Sequence, residues 1–152
     1  MIYSAALLAH SWLRWAVIIA GLVAIVRALL GATRKSPWTP ADDRAGFWFL
    51  MTLDAQVAIG LVLYFLSPIT SQALQDFGGA MKDSALRFWA VEHSFGMLIG
   101  IALAHVGRAR ARKADVLRRH RVAAIFFGLA LLAILLSIPW PGSIYGRPLL
   151  RW

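Results

Sequence analysis

Four stretches of this chain are apolar on every face, and each is about as long as a bilayer is thick. They run from Ile2 to Leu30, Phe47 to Leu66, Phe88 to Arg108 and Val122 to Ile138. Apolar segments of about 20 residues read as membrane helices. A soluble helix would carry only a stripe, repeating every three to four residues. The composition agrees: 60% of the 152 residues are hydrophobic, 15% are charged, and the charged ones are clustered. With no cysteine, disulfides, thiolate metal sites, covalent haem attachment and iron–sulfur clusters are all excluded. Any cofactor must be held by His, Met, carboxylate or backbone.

The expected fold is all-α, an integral membrane four-helix bundle forming one transmembrane domain over 1–152, with spans near 5–30, 46–66, 87–107 and 121–139. Short connections make sequence neighbours antiparallel, up-and-down neighbours in space. No basic residue precedes the first span and no small-residue cleavage site follows it, so it reads as a retained helix rather than a signal peptide. Thr39-Pro40-Ala41-Asp42 offers a helix start with proline in the first turn. Residues 69–87 read as a longer loop with a Gly78-Gly79 break, and 108–121 as a basic hairpin. Pro139-Trp140-Pro141-Gly142 stops the last span.

Lys and Arg orient the bundle. Arg27, Arg34, Lys35 and Arg44 lie at or near the first connection, and Arg108, Arg110, Arg112, Lys113, Arg118, Arg119 and Arg121 at the third. The opposite side has Lys82, Arg87, Arg147 and Arg151. That asymmetry predicts both termini on the outer side. Trp12, Trp15, Trp89, Trp140 and Trp152 fit an outer aromatic belt, and Trp38 and Trp48 an inner one. The net charge of +9 is therefore read as topology, not as a nucleic-acid surface.

Ionisable residues inside a span are functional candidates. Spans one and three run in the same direction, and His10 and His93 each sit one or two turns from the outer surface. Two imidazoles at one depth on two helices of a bundle are what a b-type haem with two axial histidines requires. Gly96, Met97, Gly100, Ala104 and Gly107 fall on roughly the face of His93 at ~100° per residue. Small residues there leave room for a macrocycle edge, or equally serve close helix packing. Gly21 shares the face of His10. Met97 and Met51 offer thioether ligation, although methionine in an apolar helix is usually packing.

Arg14, one turn below His10, needs an anion: a haem propionate, Asp54 or Glu92. Arg87 and Arg147 are further propionate candidates. Glu92 points about 100° away from His93 and serves either as a proton acceptor in a quinone pocket or, the favoured reading, in a structural role. A second site at His105 and His120 is disfavoured. Twelve residues separate His93 from His105, a rotation of ~120°, and His120 sits in the basic run RRHR.

HSWLRW (His10 to Trp15 within it), LDAQVAIGLVLYFLSP (Leu53 to Pro68), MKDSALRFWAVEH (Met81 to His93) and SIPWPG (Ser137 to Gly142) resemble, in this order, a family of small bacterial four-helix membrane proteins labelled cytochrome b-like. The resemblance spans nearly the whole chain. It implies a haem protein whose pattern includes the histidine at His10 and the pair at Glu92-His93; His105 and His120 are not associated with that pattern.

The expected function is a haem b-binding membrane cytochrome that transfers electrons, with His10 and His93 as axial ligands to one haem. Arg14, Arg87, Gly96, Met97 and Gly100 would surround it. Two histidine ligands leave no open iron position, which favours electron transfer over oxygen activation. The chain is thus read as an electron carrier or oxidoreductase subunit rather than a stand-alone enzyme. Its surroundings would be the bilayer of a bacterial inner membrane, with a quinone, a periplasmic redox protein or other membrane subunits as partners. The rival is a cofactor-free subunit of a membrane complex, in which His10, Arg14, Asp54, Glu92 and His93 form a buried polar network. A small proton- or metal-linked transporter is a weaker third reading, disfavoured by the unbroken helices.

Overall fold

Threonine, serine and aspartate decide where several of the helices begin. In the computed structural model, which describes residues 1–150, Thr39 and Asp42 form a reciprocal capping box. The Asp42 carboxylate accepts from the Thr39 N–H at 2.8 Å, and Pro40 supplies a preset first-turn φ. Ser67, Asp76 and Asp83 cap three further helices with their side-chain oxygens, satisfying amide N–H groups that a helix start leaves without partners.

The elements are α1 (Ile2–Arg34), α2 (Pro40–Leu66), α3 (Pro68–Gln75), α4 (Phe77–Ala80), α5 (Ser84–Arg87), a π-helical turn (Phe88–Glu92), α6 (His93–Lys113) and α7 (Val116–Ser137). No strand occurs among the described residues. Four helical runs are long and apolar enough to cross a membrane: Ile2–Arg34, Pro40–Leu66, Ser84–Lys113 and Arg118–Ser137. The chain is an all-helical, multi-pass membrane protein. Trp152 and Arg151, placed above in the outer belt and tail, lie outside the described residues.

Three boundaries differ from the sequence reading. The loop expected over 69–87 is folded into α3, α4 and α5, because each polar residue at its breaks caps the next helix. The basic hairpin expected over 108–121 is mostly helix, with a link of only Ala114 and Asp115 between α6 and α7. Helix α1 continues to Arg34, where Lys35 adopts a left-handed conformation (φ 52°) and its N–H bonds the carbonyl of Gly31, a C-terminal stop.

Helix α1 packs on α2 and α7, and α6 packs on α7, while α2 and α6 touch far less. Phe49, Leu53 and Val17 are the largest fully buried side chains, and the Phe49 and Phe127 rings meet edge to face at 5.6 Å. Small residues set the α6–α7 spacing: Ala104, Ala123 and Ala130 have no exposed surface, and a Cβ on Gly100 would meet the Ile134 side chain at 2.7 Å. Ion pairs cross between helices at one end of the bundle. Arg27 reaches Asp42 at 2.9 Å, and Arg108 and Arg112 both reach Asp43 at 3.2 Å.

Candidate functional site

At the other end the helices part around a cavity of about 290 Å³, at the lower edge of the size range of small-molecule pockets. His10, Arg14 and Tyr3 come from α1, Gln56, Gly60 and Tyr64 from α2, Trp89 from the π turn, and His93 and Met97 from α6. The end of α7 and the chain after it, including Pro139 and Arg147, complete the wall.

His10 and His93 meet there. Their ring centroids are 6.4 Å apart and their planes inclined at 70°. The two rings are held differently. Nδ1 of His93 lies 2.7 Å from the carbonyl oxygen of Ser137, the last residue of α7, where helical carbonyls lose their intrahelical partners. A carbonyl only accepts, so Nδ1 carries the proton and, in the neutral ring, Nε2 keeps its lone pair. This is the arrangement by which a backbone carbonyl orients a metal-ligating imidazole. Immediately before His93, the π turn closes with the His93 N–H bonded to the carbonyl of Phe88; such one-turn bulges recur at functional sites.

His10 is placed through its backbone and its neighbour's lack of a side chain. Gln56 Nε2 donates to the carbonyl of His10 at 3.0 Å, bridging α1 and α2. Gly60 leaves space for the ring: a Cβ there would stand 3.0 Å from Cε1 of His10. Nδ1 of His10 is buried with no hydrogen-bond partner among the described residues, as is Oε1 of Gln56. Buried polar atoms of this kind need an explanation, because orphaned groups are costly.

The C-terminal segment straps the cavity mouth. Arg14 Nη2 and Trp15 Nε1 both donate to the carbonyl of Leu149. Tyr145 stacks on Phe88 at 3.7 Å, and the Arg147 guanidinium sits 4.9 Å over the Trp89 ring. Two guanidiniums, Arg14 and Arg147, therefore line one rim.

Of the residues singled out from sequence, the cavity gathers His10, His93, Arg14, Met97 and Arg147. Arg87 is directed elsewhere: it bonds Glu92 at 2.6 Å and the Met81 carbonyl at 3.1 Å. Gly96 and Gly100 face α7, where a Cβ on Gly96 would overlap the Ser137 side chain. Their role is helix contact. Asp54 does not join Arg14; it bonds His105 at 2.8 Å. His10, Arg14, Asp54, Glu92 and His93 thus do not gather into one network. His120, taken above as solvated, is 3% exposed. Its ring fills the space left by Gly31 and tilts against Trp38 at 4.8 Å, so it does not share a partner with His105.

Sequence reasoning gave no site role to Gln56, Tyr64 or Trp89, and of the strap it named only Arg147 as a site residue. Gln56 carried a signal, a polar amide deep in an apolar span. Tyr64, whose hydroxyl donates to the Ala90 carbonyl at 3.0 Å, carried none, being one aromatic in an apolar span. No group of three or more His, Cys, Asp or Glu side chains that could hold a metal ion exists among the described residues. No protein-family model, curated protein or solved structure matches the chain.

Proposed function

We propose that this chain is a haem b-binding membrane cytochrome, an electron carrier with one haem between His10 and His93. The observation that carries the reading is the spacing of the two imidazoles. Two imidazoles from different helices, brought this close at one cavity, would together hold a single metal-centred group. The observed separation is 6.4 Å. The donor set fits as well: both rings border one cavity, and the Ser137 carbonyl fixes the tautomer of His93.

Bound haem would supply a one-electron couple. The chain's own residues would hold and orient it. His93 stays rigid through Ser137, and His10 through Gln56 and the room at Gly60. Arg14 and Arg147 present positive charge to an anionic edge such as a propionate. The apolar walls of Val17, Leu53 and Ile134 exclude water. Met97 packs on this wall. The sequence resemblance to cytochrome b-like membrane proteins agrees with the same assignment.

In this reading neighbouring spans are antiparallel and the cavity opens at the outer face of a bacterial inner membrane, with both chain ends on that side. The positive-charge asymmetry supports the orientation. So do the contacts, which place Arg27, Arg108 and Arg112 at one end and the cavity at the other. The electron partner would be a quinone or a redox protein reaching that outer face. The visible spectrum of protein purified from haem-supplied cells tests the assignment. A Soret band with sharp α and β bands after dithionite is expected; a colourless protein overturns it.

A further inference from the structure

Asp54 and His105 make a second polar feature, unrelated to the cavity and left unused by the proposed function. Asp54 stands 14 residues after Pro40 and 12 before Leu66. At about 1.5 Å per residue that is roughly 18–21 Å from either end of α2, near the midpoint of a candidate membrane span. Its carboxylate holds Nε2 of His105 at 2.8 Å, yet the two side chains are 33% and 49% exposed. They sit in the shallow seam where α2 and α6 barely touch. Ionisable side chains at this depth normally face a bundle interior or a water-filled space, not lipid.

We propose that the α2/α6 face is an interface with a second copy of this chain, built around a four-residue cluster of two Asp54 and two His105 side chains. The self-complementarity of the pair identifies the occupant. Oδ1 and Nε2 are spent on each other, while Oδ2 and Nδ1 make no hydrogen bond among the described residues. In such a dimer a two-fold axis would pair each Nδ1 with the other copy's Oδ2, since an isologous contact brings residue i to j and j to i. The match holds for either proton position. An imidazolium donates from Nδ1 to the partner carboxylate, and a protonated carboxyl donates from Oδ2 to the partner's neutral ring.

The surrounding surface suits close approach. Met51, Asp54, Ala58 and Leu61 follow one another at steps of three, four and three along α2, as do Leu98, Ala102, His105 and Ala109 along α6 at four, three and four. Met51, Leu61 and Leu98 are 40%, 57% and 57% exposed, and the three alanines are exposed too. Small side chains flanking a polar contact are the usual composition of membrane helix interfaces, where hydrogen bonds across helices replace the missing hydrophobic drive.

The absence of cysteine makes the test direct. Leu61→Cys and Leu98→Cys place single thiols on the proposed face, and Leu22→Cys and Leu132→Cys place controls on exposed positions of α1 and α7. After oxidation in lipid vesicles at high dilution, the first two are expected to give at least tenfold more covalent dimer than the controls. Adding Asp54→Leu and His105→Leu to Leu61→Cys is expected to cut that yield at least tenfold. Equal yields on all faces, or an undiminished yield in the triple variant, overturn the proposal. Should the triple variant not fold, fluorophore counting on the otherwise native chain decides: two bleaching steps support the dimer, and one step, or a complex containing a different membrane subunit, overturns it. None of these readouts depends on haem.

Discussion

At the scale of single residues, the site rests on what fixes each imidazole. His93 is oriented by one backbone carbonyl, so replacing the ring removes both the proposed ligand and its tether. His93→Ala and His10→Ala are each expected to abolish the haem absorbance while leaving the far-ultraviolet circular dichroism of the bundle unchanged. A separate residue-scale prediction concerns His120. A Cβ on Gly31 would overlap its ring, so Gly31→Ala should destabilise the protein by about 1–3 kcal/mol, the usual range for overpacking. In a His120→Ala background the same change should be nearly neutral. Denaturant titrations in detergent, arranged as a double-mutant cycle, measure the coupling. The burial of His120 was not legible in sequence, because RRHR reads as a solvated run. Helical geometry turns His120 toward α1 while Arg118 and Arg121 point outward, and only the position of Gly31 on another helix reveals that there is a slot to fill. His10 and His93 were legible, because depth in a span follows directly from counting residues.

At the scale of elements, caps and close contacts do most of the placing. Thr39→Ala removes one half of the capping box and is expected to lower stability by about 1 kcal/mol; Asp42→Asn keeps an acceptor but loses the charge facing Arg27. Thermal melts in the same detergent should rank Thr39→Ala below wild type. Gly96→Ala should disturb α6–α7 packing and lower the melting temperature. Any loss of haem there should be secondary, because Gly96 faces Ser137 rather than the cavity. The start of α2 could be read from Thr39-Pro40 because that signal is local. The faces of Gly96 and Gly100 could not. Helical periodicity says which residues share a face, but not which neighbour that face meets. For the same reason the short helices over 68–87 escaped notice: four to eight residues carry too little periodicity, and their starts depend on Ser67, Asp76 and Asp83 acting as caps.

At the scale of the whole molecule, an ion-paired end and a cavity end give the bundle polarity. If the basic end faces the cytoplasm, alkaline phosphatase fused after Leu150 should be active, and the same enzyme inserted at Ala114 should be inactive; the reverse pattern would invert the topology. The four spans were legible because lipid demands apolar residues on every side of a helix. The C-terminal strap was not, since its tie to α1 is the backbone carbonyl of Leu149, which carries no sequence signal, and the partners of Tyr145 and Arg147 are set only by the fold. The strap also bears on binding. Arg14 and Trp15 hold Leu149 over the cavity mouth, so truncation before Ser143 should speed haem loss without removing either ligand.

The central claim, one haem held by His10 and His93, is tested most directly by titrating the purified, haem-free protein with haemin while following the Soret band. The account predicts saturation at one haemin per chain with a low-spin spectrum, and loss of that spectrum in His10→Ala and in His93→Ala. A wild-type titration indistinguishable from that of the two variants would contradict it.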